Sequence, residues 1–206
     1  MSEQCPACGA LLPTPLACAA CGALIDPPPG LSPWALLGLE PCWRVDAGEL
    51  QKRLVRLSRL MHPDFFAAAP QAARDLAGRN SARLNDAYAT LLDPARRTEW
   101  ILTDRGAPSA QAERTMPQSF LMQVLEWNET LDSARETQGA ARTSALQSLL
   151  TELSPQREAL LVRLGSLLEP LPAPGSPALL AARRELNALA YLDRALAQIE
   201  NLRLSA

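Results

Sequence analysis

Two short cysteine hooks stand near the start of the chain, Cys5-Pro6-Ala7-Cys8-Gly9 and Cys18-Ala19-Ala20-Cys21-Gly22, with nine residues between them. Four thiols at this spacing suit a tetrahedral all-sulfur metal site, and the glycine after each second cysteine frees the backbone to curl its amides toward the thiolates. Zinc is the favoured ion because it needs no redox environment and suits four thiolates; a rubredoxin-like iron site and a pair of disulfides are the alternatives. Four protein ligands leave no open position for a substrate, so the site is expected to be structural. So short a segment cannot hold a core by itself, and metal binding would supply its folding free energy. A docking or dimerising surface is the second reading of this head. It carries Glu3 and Asp26 but no Lys or Arg. Four thiolates around Zn²⁺ add two negative charges, so a nucleic-acid phosphate would be repelled. Cys42, next to Trp43, stands apart from the hooks and reads as a small buried or half-buried hydrophobe.

The second chemically suggestive group is His62-Pro63-Asp64, which holds the only histidine of the chain. It follows a segment, Asp46 to Met61, with helical periodicity. On a helical wheel Leu54, Leu57 and Met61 fall within about 40° of Leu50, whereas Lys52, Arg56 and Arg59 cluster on the opposite side. One face packs and the other is positive, and no acid after Glu49 is placed to neutralise it. Pro63 drives the residue before it out of helical geometry, which presents His62 and Asp64 on an exposed turn beside the basic face. A catalytic acid–base pair would need a third, orienting group and a pocket, and neither is visible. No catalytic residue is assigned.

A third pattern lies between Pro117 and Glu136. Phe120, Val124, Trp127 and Leu131 form a normal core stripe, yet Leu121, Met122, Leu125, Glu126 and Glu129 occupy the arc that should be wet. An apolar centre rimmed by acids fits a protein-binding patch; a wide core contact, with neighbouring helices covering both faces, is the alternative. In the last helical segment Leu186, Leu189, Leu192, Leu196 and Ile199 form the buried stripe, and Tyr191 lies about 80° beyond its edge, where it could extend a patch.

The elements that must carry these groups are helices. In the 206 residues, apolar types make up 48% and aromatics 4%, Leu and Ala dominate, and the chain has 20 basic against 22 acidic residues. So few β-branched and aromatic residues starve any sheet, and the fold class is all-α. Balanced charge argues against a nucleic-acid binder, and no leucine run approaches the roughly 20 apolar residues of a membrane span. The sequence starts without a basic-apolar leader, so the cytoplasm is the expected compartment. Prolines punctuate the rest. Asp26 to Gly30 is a stiff spacer after the head. Ser32-Pro33, Asp93-Pro94, Ser154-Pro155 and Ser176-Pro177 each pair an N-cap with a first helical position, so each is expected to open a helix. A second amphipathic helix is expected at about Gln71 to Leu92, the polar stretch Gly106 to Pro117 is a connection, and Pro170 to Gly175 is a turn between antiparallel helices. The expected organisation is a head over 1–26, a linker over 27–30, and helical regions over 31–106 and 117–206.

The leading helix Ser32-Pro33-Trp34-Ala35-Leu36-Leu37-Gly38-Leu39, the basic helix, His62-Pro63-Asp64 and Asn85-Asp86-Ala87-Tyr88 together resemble a J domain. With Met116-Pro117-Gln118-Ser119-Phe120-Leu121-Met122-Gln123-Val124-Leu125-Glu126 following it, the chain is similar to the HscB family of iron-sulfur-cluster co-chaperones over residues 31 to 204. A CxxC pair ahead of the J domain is the variant of the mitochondrial-type members. The resemblance implies that residues 31–106 form a J domain and 117–206 a three-helix bundle. It implies that Lys52, Arg56, Arg59, His62, Pro63 and Asp64 engage an HscA- or DnaK-type heat-shock-70-class ATPase and stimulate it. The scaffold IscU would bind Leu121, Met122, Leu125, Glu126 and Glu129, with an aromatic at the place of Tyr191. Phe65 stands where many members have Lys, and Gln123 and Asn128 stand where some carry charge. A J protein with another client, and a zinc-dependent nucleic-acid module, are the rival functions.

Overall fold

A computed structural model describes residues 4–204; Glu3, counted above among the acids of the head, lies outside them. The fold is all-α: seven α-helices, and among the described residues no strand beyond isolated bridges within the head. The chain forms two compact units, Met1–Arg97 and Thr98–Ala206. No helix among the described residues is long and apolar enough to cross a membrane.

In the first unit, helix α1 (Pro33–Leu36) starts where the side chain of Ser32 accepts from the amide of Ala35 and Pro33 takes the position that needs no N–H. Helix α2 (Ala47–Ser58) is capped by Asp46, whose carboxylate accepts from the amide of Glu49 at 2.8 Å. A 3₁₀ turn (Pro63–Phe66) then leads to helix α3 (Gln71–Leu92). Trp34, Leu37, Leu50, Leu57, Met61, Ala77, Leu84, Ala87 and Leu91 are buried, so the periodic apolar faces of all three helices meet in one core. Each fully buried large side chain contributes about 1.5–3 kcal/mol.

The head is packed into this unit. Leu16, Ala17 and Cys18 are fully buried, and Pro27 of the spacer is buried. Asn80 of α3, also fully buried, donates both amide hydrogens across the joint, to the carbonyls of Leu16 (2.9 Å) and Ile25 (2.8 Å). Asp26 pairs with Arg83 at 2.9 Å and lies 3.7 Å from Arg79. The Thr14 hydroxyl donates to the carbonyl of Leu36 at 2.6 Å. Gly38, at φ 64°, allows the closest approach, since a Cβ there would lie 2.3 Å from the carbonyl oxygen of Pro13.

Helix α4 (Pro94–Asp104) opens at Asp93, whose carboxylate accepts from the amides of Ala95 and Arg96, and it carries the chain from the first unit to the second. Helices α5 (Gln118–Glu136), α6 (Gly139–Leu168) and α7 (Pro177–Leu204) pack on one another as a bundle. Phe120, Val124, Trp127 and Leu131 from α5, Leu146, Leu149, Leu153, Leu160, Leu164 and Leu168 from α6, and Leu179, Leu186, Leu189, Leu192 and Ile199 from α7 build its core at three- and four-residue spacing. Leu196, expected in that stripe, is half-buried.

Ser154-Pro155 does not open a helix. Pro155 lies inside α6, and the Ser154 hydroxyl donates back to the carbonyl of Leu150 at 2.7 Å. Leu149, Leu153 and Leu160, all buried, hold the helix on both sides of it, so tertiary packing overrides the local break signal. The connection after α4 is strapped to α7. Buried Arg183 makes a two-pronged pair with Glu99, at 2.5 and 2.8 Å, and its Nε donates to the carbonyl of Pro108. The Asn187 amide donates to the carbonyls of Glu113 and Thr115.

Candidate functional site

The two hooks fold as a local pair. In the first, the Gly9 amide donates to the carbonyl of Cys5 and the Cys5 amide to that of Ala10; in the second, Gly22 donates to Cys18 and Cys18 to Ala23. Gly9 and Gly22 both adopt φ 74°, the left-handed turn that lets each hook close. The sulfurs of Cys5 and Cys21 are 3.7 Å apart, as are those of Cys8 and Cys18, and all four lie within 4.8 Å of one another. A tetrahedron with metal–sulfur bonds of about 2.3 Å has sulfur–sulfur edges of about 3.8 Å, so the four cysteines lie close enough to hold a metal ion and fit an all-thiolate one. All five cysteines are free thiols. The amide of Cys21, followed by that of Ala20, holds the Cys18 thiol down to about 7. The amide of Ala10 pulls on Cys8 in the same sense. The crowding sulfurs, Cys21 foremost, together with burial outweigh it and push Cys8 up to about 12.

The basic face of α2 is open. Lys52, Arg56 and Arg59 are all exposed. One expectation is corrected here: Lys52 is not without an acid, because its ammonium meets Glu49 one turn back at 2.6 Å, which raises its pKa. Arg56 and Arg59 have no carboxylate partner among the described residues. Arg53, on the flank, turns its guanidinium onto the carbonyls of Leu37 and Gly38. At the end of this face His62 caps the 3₁₀ turn. Its Nδ1 accepts from the amide of Asp64 at 3.3 Å and lies 3.6 Å from the Asp64 carboxylate. The imidazole is 54% exposed and the Asp64 carboxylate 87%, and the exposed Phe65 ring meets His62 edge-on at 6.0 Å. The imidazole therefore lies at the surface, and the acids among the described residues leave two of the three cations uncovered.

On α5 the unexplained arc is solvent-facing. Leu121 is 43% exposed, Met122 71% and Leu125 67%, with Glu126 and Glu129 exposed beside them. Beneath, the core stripe is fixed: the Trp127 indole donates to Glu152 at 3.0 Å and stacks edge-on with Phe120. Tyr191 is half-buried. It exchanges hydrogen bonds with the Asn128 side chain (2.8 and 3.3 Å), stacks edge-on with Phe120 at 6.2 Å and lies under the Arg194 guanidinium. Tyr191 thus ties α7 to α5 next to the apolar arc. Asn80, Thr14 and Gly38, which join the head to the hairpin, have no motif in the sequence. Their one readable trace is the polar Asn80 set between Ala77 and Leu84 on the apolar side of α3.

A basic helix ending in His-Pro-Asp at the turn of a hairpin, on a chain that ends in a helical bundle, is the layout of a J-domain co-chaperone. Residues 116–200 match the family model described as the HSCB C-terminal oligomerisation domain. The co-chaperone protein HscB homolog of Burkholderia multivorans is 36% identical over 163 residues, which cover 77% of this chain and 88% of that protein. The homolog of Paraburkholderia phymatum is 32% identical over 169 residues, covering 82% and 91%. Among solved structures, the human co-chaperone protein HscB aligns with a TM-score of 0.78 at 26% identity, over 99% of this chain and all of that one. Chaperone HscB from Vibrio cholerae aligns at 0.71 and 27%, over 85% of this chain and 99% of that one. The chain belongs to the HscB co-chaperone family.

Proposed function

We propose that this protein is an adaptor for iron-sulfur cluster assembly, with no catalytic activity of its own, that brings the scaffold IscU to an HscA- or DnaK-type ATPase in the cytoplasm. On this reading residues 31–106 are the J domain. Lys52, Arg56 and Arg59 steer and orient the ATPase, and His62, Pro63 and Asp64 trigger its hydrolysis. Residues 117–206 are the client-binding bundle, which holds the scaffold through Leu121, Met122 and Leu125 rimmed by Glu126 and Glu129, with Tyr191 supporting that face. The head over residues 1–26, joined through 27–30, carries a structural Zn²⁺ on Cys5, Cys8, Cys18 and Cys21. The ion would fix the two hooks against each other.

The observation that carries the reading is the opposite chemistry of two exposed surfaces: an uncovered cationic ridge with an imidazole at its end, and an apolar face with an acidic rim. Electrostatic complementarity assigns them to different partners. Holding both partners at once raises the local concentration of the client at the ATPase. The test is ATPase turnover of the chaperone with IscU present. His62→Gln abolishes the stimulation, and unchanged stimulation refutes the J-domain role. Replacing Leu121, Met122 and Leu125 together by Ala lowers affinity for IscU at least about tenfold. Because those side chains are exposed, the melting temperature stays within a few degrees. Stimulation without any IscU binding would instead mark a J protein with another client.

A further inference from the structure

A groove opens where the head meets the end of α1, and of its lining the co-chaperone reading uses Arg56 alone. Leu12, Pro13 and Pro15 from the head, Leu39 and Pro41 after α1, and Arg56 of α2 all line it, together with polar Thr14 and Ser32. The apolar side chains are half-buried except Pro41, which is exposed, and the prolines offer the groove no amide donors. Its width is set by rigid contacts: the Thr14 hydroxyl on the Leu36 carbonyl, and Gly38 against the carbonyl of Pro13. A preformed trough needs little ordering when it is filled.

We propose that this groove is a second contact for the heat-shock-70-class ATPase, occupied by a short, extended segment of that partner that carries apolar side chains and a carboxylate. The proposal rests on the J-domain reading above and deepens it by making the head part of the docking surface. Three observations select the occupant. The lining sets Leu12, Pro13, Pro15 and Leu39 among polar groups, so the segment carries apolar side chains beside polar ones. Arg53 also lines the groove, but its guanidinium is spent on the Leu37 and Gly38 carbonyls. Arg56, exposed and without a carboxylate partner among the described residues, is therefore the cation that receives the carboxylate. Arg56 also belongs to the cationic ridge of α2, so groove and ridge are continuous, and one molecule must occupy both if a single guanidinium is to serve it. Glu40, exposed on the rim, is the carboxylate of the lining and opposes an acidic occupant.

The experiment uses the full-length, metal-loaded chain and the intact ATPase, measuring Kd, its salt dependence, and ATPase stimulation against co-chaperone concentration. Glu40→Lys, at an exposed position that leaves packing untouched, tightens binding several-fold and steepens the salt dependence. Leu39→Asp and Leu12→Asp, one after α1 and one in the head, each raise the half-maximal concentration about tenfold, with bound metal and melting temperature checked against the parent. His62→Gln is measured in parallel. If His62→Gln abolishes stimulation while Glu40→Lys and both leucine variants bind like the parent, the groove proposal is overturned and the J-domain role stands. If His62→Gln stimulates normally, the underlying reading itself falls. Weaker binding by Glu40→Lys overturns an acidic occupant. Sedimentation that shows a wild-type dimer dissolved by Leu39→Asp, or leucine variants that lose IscU instead of the ATPase, assigns the groove to another occupant and overturns the proposal.

Discussion

Asn80→Ala isolates the joint between head and hairpin. The substitution removes two hydrogen bonds at a position where the side chain is fully buried; the Leu16 carbonyl keeps the Ile25 amide as a donor at 2.9 Å, and the Ile25 carbonyl loses its side-chain donor. An orphaned buried acceptor costs about 1–3 kcal/mol. The loss is offset in part, because the Oδ1 of Asn80 is itself buried without a hydrogen-bond partner and disappears with the substitution. The net expectation is about 1–2 kcal/mol. For a unit of this size that is a fall in melting temperature of about 4–16 °C. The informative measurement is a thermodynamic cycle: urea unfolding of the parent and Asn80→Ala proteins, each with metal and after chelation. Leu16 lies two residues from Cys18, so a head loosened by metal loss no longer holds its carbonyls against α3. Asn80→Ala then costs much less in the chelated protein than in the loaded one, and the coupling energy is at least about 1 kcal/mol. An Asn80→Ala penalty below about 0.5 kcal/mol with metal bound refutes the joint, and an equal penalty in both states refutes its coupling to the metal site.

Two further outcomes follow from the second unit. Glu113 accepts from the amide of Thr115 at 2.8 Å and faces Arg184 at 3.3 Å, and its carboxyl is held below the ordinary value of 4.5, by Thr115 first and Arg184 next. A depressed folded-state value gives stability that is present above the unfolded value and lost as the pH falls through the folded one. Glu113→Gln therefore destabilises at pH 7, and its difference from the parent in urea unfolding shrinks once the pH drops below 4.5; a difference independent of pH contradicts this. Pro155→Ala restores an amide that can donate to the carbonyl of Thr151 and removes a ring from the interior of α6. It raises stability by about 1–3 kcal/mol, read from the urea midpoint, and a lower midpoint would show that the ring fits its surroundings without strain.

Much of this architecture was legible in the chain. The ends of α3 and α7 fall at Gln71–Leu92 and Pro177–Leu204, as the periodicity and the Ser176-Pro177 cap indicate, because both signals are local. Ser154-Pro155 carries the same local signal as Ser176-Pro177 yet does not start a helix; the difference lies in Leu149, Leu153 and Leu160, whose partners are remote in sequence. The cysteine hooks and the exposed arc of α5 were readable because composition and spacing alone define them. The acid that meets Lys52 was present three residues earlier, but rotamers decide such a pair. The Asn128–Tyr191 bond spans 63 positions and the Asn80 contacts 55 and 64, distances over which a single sequence holds no pairing information.

The strapping of the segment after α4 has a mechanical consequence. Pro108, Glu113 and Thr115 are each moored to α7, so this polar stretch, whose composition suggests a slack tether, melts only when α7 itself detaches. An insertion between Pro108 and Thr115 would strain three anchors at once instead of merely lengthening a leash.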